Sequence, residues 1–150
     1  MRIDVPTVLA SQIAGGNFTM IWSYQNEKWL DATLIAGKLT GTLTAFQDGY
    51  GYWIYMTRAD NLFVVGSDFA SIPATPPSYQ LSVGWNLLGF TPEPTVGPEA
   101  TSSYLSSLNG NYGQIYLYDN TSSTWTENPS SLESGQAIWI YVTAPATLTP

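Results

Sequence analysis

The sequence predicts an all-β protein with short helices, built as a tandem duplication of a small sandwich- or barrel-like module. Three observations carry this. First, Gly51-Tyr52-Trp53-Ile54-Tyr55-Met56-Thr57 returns near the C-terminus as Ala137-Ile138-Trp139-Ile140-Tyr141-Val142-Thr143. Second, Gly16-Asn17-Phe18-Thr19-Met20-Ile21-Trp22-Ser23-Tyr24, closed by Trp29, returns as Gly110-Asn111-Tyr112-Gly113-Gln114-Ile115-Tyr116-Leu117-Tyr118, closed by Trp125. Third, the order of the two motifs is kept, which is the signature of a repeat architecture. The expected divisions are a first module over 1–66, a proline-rich linker over 67–78 and a second module over 79–150.

In the first module, Pro6 to Ala14 reads as a short helix stopped by Gly15-Gly16. Thr19 to Tyr24 and Trp29 form a hairpin across Gln25-Asn26-Glu27, and Tyr52 to Thr57 follows the Asp48-Gly49 turn as a strand. An insertion near 30–48, absent from the second module, carries an extra hairpin over Gly37-Lys38. Leu62 to Val65 reads as a further strand. Pro73, Pro76 and Pro77 bar residues 67–78 from a central strand.

The second module opens on the apolar run Tyr79 to Phe90, read as one strand between Pro77 and Pro92. Pro98 to Leu108 reads as a helix, with Pro and Glu in its first turn and Asn109-Gly110 as its stop. Gly113 to Asp119 and Thr124 to Thr126 make a hairpin across Asn120 to Ser123. Ile138 to Thr143 and an edge strand over Thr147 to Thr149 follow. No Gly84-Trp85-Asn86-Leu87 counterpart precedes the first helix, so the first module is expected to leave a sheet edge open. Both Trp-Ile-Tyr strands are apolar on both faces, which predicts strands covered on both sides.

Composition removes several functions. Four Lys and Arg stand against 11 Asp and Glu, for a net charge of −7. The basic clusters needed for nucleic acid or an anionic membrane are missing. Without His or Cys, imidazole and thiolate catalysis have no residues to use. Neither lysine has the Ser-x-x-Lys spacing, no Ca²⁺ loop motif occurs, and the carboxylates fall in turns where solvent keeps them ordinary. The sequence therefore predicts no enzyme, no cofactor, no metal site and no membrane insertion. Only 10% of residues are charged, against about 25% in typical soluble domains. Ser, Thr, Asn and Gln supply the polar surface instead, the style of extracellular and cell-surface β proteins. A chain exported in this way carries its export signal outside the present sequence.

Candidate functional residues are few. Trp29 and Trp125, on the return strands beside the hairpin turns, either pack as lids on their own modules or stack on sugar rings, with Tyr24 and Tyr118 as further stacking candidates. Exposure of both tryptophans on one surface favours stacking. Asn17-Phe18-Thr19 and Asn120-Thr121-Ser122 are sequons, which makes Asn17 and Asn120 candidate glycosylation sites.

The order Gly84-Trp85-Asn86-Leu87, short helix, aromatic hairpin with Tyr116, Tyr118 and Trp125, then Trp139-Ile140-Tyr141 resembles β-rich repeats of secreted and cell-surface proteins, S-layer-like ones included, in archaea and some bacteria. Trp22, Tyr24, Trp29, Gly49, Gly51 and Tyr52 to Tyr55 carry the likeness in the first module. Gln136-Ala137-Ile138 departs from the Tyr-Gly-Tyr such repeats favour. The resemblance implies a surface scaffold and brings no catalytic residue. The leading expectation is a non-enzymatic structural or adhesive module of an exported protein, pairing with its own copies or neighbouring domains through the open edge. The alternatives are a carbohydrate-binding module using exposed Trp and Tyr, with glycans as partners, and an accessory domain of a secreted enzyme.

Overall fold

A computed structural model of the chain describes residues 2–4, 8–61, 77–91 and 97–150. It is an all-β protein, with two short helices among the described residues. The elements are β1 (Arg2–Asp4), α1 (Ala10–Gly15), β2 (Phe18–Gln25), β3 (Lys28–Ile35), β4 (Lys38–Gly41), β5 (Ala45–Gln47) and β6 (Trp53–Met56) in the first half. The second half holds β7 (Tyr79–Leu81), β8 (Gly84–Gly89), β9 (Glu99–Ala100), α2 (Thr101–Tyr104) and a 3₁₀ turn over Ser106–Leu108. It closes with β10 (Tyr112–Asp119), β11 (Thr124–Glu127), β12 (Ser131–Leu132), β13 (Ala137–Val142) and β14 (Ala146–Leu148).

Each half is built on a four-stranded antiparallel sheet, in the order β4-β3-β2-β6 and β11-β10-β13-β8. The two share a register. Ile21 pairs Ile54 and Trp22 pairs Trp53; Ile115 pairs Ile140 and Tyr116 pairs Trp139. A one-residue bulge interrupts both ladders at the same place, between Phe18 and Met20 and between Tyr112 and Ile115. Beyond it, Thr57 N–H donates to the Asn17 carbonyl and Thr143 N–H to that of Asn111.

Local chemistry accounts for the hairpins. Asn26 and Glu27 both take positive φ, as a two-residue type I′ turn requires, and the insertion hairpin between β3 and β4 turns over Ala36 and Gly37 in the same way. That is the extra hairpin the sequence placed there. On each sheet, alternate residues feed a core. In the first half Leu9, Phe18, Ile21, Ala32 and Leu43 are buried together. The larger second core includes Leu88, Tyr104, Leu105, Leu108, Ile138, Ile140 and Val142.

Several expectations need correction. The run Tyr79 to Phe90 is two strands: Gly84 at φ 97° breaks it, and the Asn86 amide donates to the carbonyls of Ser82 and Gly84 at the bend. β7 then leaves the sheet to pair β14, so the expected edge strand exists but ends at Leu148. Glu99-Ala100, read as a helical first turn, pairs β12 instead; a tertiary partner overrides a weak local signal. β13 is an inner strand, whereas β6 is the last of its sheet among the described residues, and Tyr55 is 63% exposed. The first-half edge is also partly occupied. Gly51 N–H donates to the Leu87 carbonyl and Gly89 N–H to that of Gly49, bridging Tyr50 to Leu88. β8 thus serves β13 on one side and the approach to β6 on the other. The Leu62 to Val65 strand and most of the 67–78 linker lie outside the described residues.

Three tyrosines, Tyr104 buried and Tyr52 and Tyr79 half-buried, set an alkaline limit on the fold. Burial pushes the hydroxyls of Tyr52, Tyr79 and Tyr104 above the ordinary value of 10.0. Tyr104 is held between Thr91 and the Gly89 carbonyl, and Tyr79 donates to Asp48 at 2.8 Å. A group whose folded pKa is raised leaves stability intact below its unfolded pKa and removes it as pH climbs above that value. Stability is therefore expected to fall above about pH 10, with these three tyrosinates forming last in an ultraviolet titration. Ordinary ionisation of all ten tyrosines near pH 10 would refute this.

Candidate functional site

The alternating pattern that feeds each core leaves the opposite face of each sheet aromatic. β2, β3 and β6 present Trp22, Tyr24, Trp29, Trp53 and Tyr55; β8, β10, β11 and β13 present Trp85, Tyr116, Tyr118, Trp125, Trp139 and Tyr141. These two faces meet, and they meet reciprocally. Trp53 of the first half lies between Tyr118 and Trp125 of the second, with ring centroids 5.1 and 5.6 Å away. Trp139 of the second half lies between Tyr24 and Trp29 of the first, at 5.6 Å from each. Residue contacts its counterpart's partners in both directions, the pattern of an isologous interface, here within one chain. Gly51 sits at the crossing, where a Cβ would come within 2.8 Å of the Ala137 Cβ and 2.7 Å of Leu87 Cγ.

Beside this crossing an aromatic cleft of about 510 Å³ opens, lined by Tyr24, Trp29, Trp85, Tyr116, Trp125 and Trp139. Its size falls within the roughly 300–1,000 Å³ of small-ligand sites. Trp29 is 56% exposed and Trp125 51%. Neither is a lid on its own module's core. The rings stand at steep angles to one another: Trp29 to Trp139 at 61°, Trp85 to Trp139 at 86°. These edge-to-face contacts hold the rings of the lining against one another.

Three of the four stacking candidates, Tyr24, Trp29 and Trp125, therefore come together here, from both halves. Tyr118 does not line the cleft; it is held between Trp53 and Trp125. Trp85, Tyr116 and Trp139 complete the lining and were not foreseen. Their strand parity put them on the aromatic face, but which face met which depended on the docking of the two halves.

Tyr24 also forms a wall of a second, polar cleft of about 670 Å³. Asn26 and Glu27 from the β2–β3 turn, Gln47, Asp48 and Tyr50 from the first half, and Ser78, Gln80, Ser82 and Asn86 from the second line it. Among the described residues, Glu27 and Asp48 are its charged residues and neither Lys nor Arg lines either cleft.

The sequons differ in accessibility. Asn120 is exposed at the tip of the β10–β11 hairpin. Asn17 is buried, its Nδ2 donates to Asp60 at 2.6 Å, and its Oδ1 accepts from Arg58. The folded chain does not present the Asn17 amide to solvent, which corrects its standing as a modification site.

Hydrogen bonds from Asn17 hold the Asp60 carboxyl below the usual range, and those from Ser122 and Thr121 do the same for Asp119. This is the direction of a turn carboxylate, opposite to that of a general acid. Among the described residues no three acidic groups converge as a metal site, and no helix is long and apolar enough to cross a membrane. No family model matches the chain, and no match was found among curated proteins or solved structures.

Proposed function

We propose that the chain is a non-enzymatic glycan-binding module of an exported surface protein, built from a duplicated unit and adhering through its aromatic cleft. The observation that carries this reading is the convergence of six aromatic side chains from both halves on one open cleft, two of its tryptophans more than half exposed. Pyranose rings present apolar C–H faces edged by hydroxyls. Rigid aromatic faces match the former, and polar groups at the cleft margin match the latter. The shared register and bulge support the duplication, and the scarcity of charge supports the extracellular setting.

Self-assembly through sheet edges finds less support. The edge expected to be open is bridged by β8 at Gly49–Gly51. The outer strands β4 and β11 are four residues each and carry Lys38 and Glu127, the devices by which edges resist pairing. Adhesion in this reading comes from the cleft.

Four of the six tryptophans line that cleft, so intrinsic fluorescence reports its occupancy. Titration with the hits of a glycan array is expected to shift and quench emission saturably. An array without hits, together with emission unmoved by millimolar oligosaccharides, would sink the reading.

A further inference from the structure

The two clefts share Tyr24, and they divide the labour of recognition. The aromatic cleft is lined by rings alone; the second cleft sets amides, hydroxyls and two carboxylates among Tyr24, Tyr50, Tyr79 and aliphatic side chains. Tyr24 is common to both linings, so a chain seated against Trp29 and Trp125 and long enough to pass Tyr24 would reach the cleft that Gln47 and Gln80 line.

From this arrangement, and resting on the glycan-binding reading above, we infer that the ligand is an uncharged, extended oligosaccharide occupying both clefts at once. Charge decides the class. An acidic glycan would bring carboxylates or sulfates beside Glu27 and Asp48, with no Lys or Arg among the described residues lining either cleft to receive them, in a protein of net charge −7. Like charges brought together in a partly desolvated groove oppose binding. Neutral hydroxyls meet no such opposition and can donate to those same carboxylates.

Hydrogen-bonding capacity in the polar cleft is distributed to suit. The Asn86 amide is committed to the Ser82–Gly84 bend, and the Asp48 carboxylate already accepts from Tyr79 with further lone pairs to spare. Gln80 is exposed and holds only Thr147 with its amide nitrogen. Gln47, half-buried on β5 with its backbone amide and carbonyl tied to Tyr52, is among the residues lining the cleft. These two glutamines are the groups an extended chain would engage.

Calorimetry with a cello-oligosaccharide ladder from glucose to the hexamer, and with oligogalacturonate as the acidic counterpart, tests this. Affinity is expected to keep rising beyond the shortest member that binds, and oligogalacturonate is expected to bind at least tenfold more weakly than the cello-oligomer of equal length. The double variant Gln47→Ala/Gln80→Ala is expected to lose about tenfold for the hexamer and nothing for the shortest binding member, with its melting transition retained. An affinity that plateaus at that shortest member, equal loss at every length, or tight binding of oligogalacturonate would each overturn the two-cleft ligand while leaving the aromatic site standing. Absence of binding by every oligosaccharide, with Trp29→Ala changing nothing, would overturn the site as well.

Discussion

Trp29→Ala is expected to lower oligosaccharide affinity by about 30-fold or more, the scale of a truncated aromatic anchor, while the fold survives. The two effects separate because of where the ring sits. More than half of it is exposed, so truncation leaves no sealed cavity and forfeits only its edge contacts with Tyr24 and Trp139. Such pairs contribute about 0.5–1.5 kcal/mol beyond area. Fluorescence titration and thermal melting of the same sample give both readings. A variant that keeps its affinity removes Trp29 from the site; one that fails to fold shows the ring to be structural. Trp125→Ala, whose ring is equally open but contacts Tyr118 and Trp53 instead, provides the independent second reading.

Gly51→Ala is expected to destabilise the chain by about 1–3 kcal/mol, the usual cost of overpacking, and to weaken ligand binding although Gly51 is not among the residues that line the aromatic cleft. The added methyl would meet the Ala137 Cβ and the Leu87 side chain where the halves cross, and relief requires the aromatic faces to move apart. Adding Ala137→Gly removes one of the opposing groups. The pair is therefore expected to be less destabilising than the sum of its parts, with a coupling of at least about 0.5 kcal/mol. Chemical denaturation of the four members of the cycle measures it. Strict additivity would mean that the halves do not bear on each other at this point.

The internal echoes made much of the architecture legible. Alternation assigned Ile115 and Leu117 to one face of β10 and Tyr116 and Tyr118 to the other, as observed, because strand parity is a local property. Asn26-Glu27 and Gly37 marked hairpins for the same reason. What failed depended on distant partners. Glu99-Ala100 carries sound helix-start chemistry, yet Ser131–Leu132 claims it as a ribbon. Nothing in Tyr79 to Phe90 taken alone announces a break, although Gly84 is the residue best able to make one. Asn17 reads as an open sequon until Asp60 and Arg58 fold onto it.

The cleft was half legible. Tyr24, Trp29 and Trp125 stood out as hairpin aromatics, and their gathering with Trp85, Tyr116 and Trp139 required knowing that Trp53 and Trp139 trade places across the interface. Equivalent positions in the two halves carry nearly the same contacts, so either copy's sequence predicts its own sheet well. Neither predicts the surface between them.

That reciprocal exchange gives the cleft two jaws, each hinged on a different stretch of chain. Tyr24 and Trp29 belong to one, Trp85, Tyr116, Trp125 and Trp139 to the other, and no half alone closes around anything. A ligand held there adds its binding free energy to the bond between the halves. If the proposed glycan-binding role holds, grip and integrity fail together: a pull strong enough to part the jaws would release the ligand, and a seated ligand would make them harder to part.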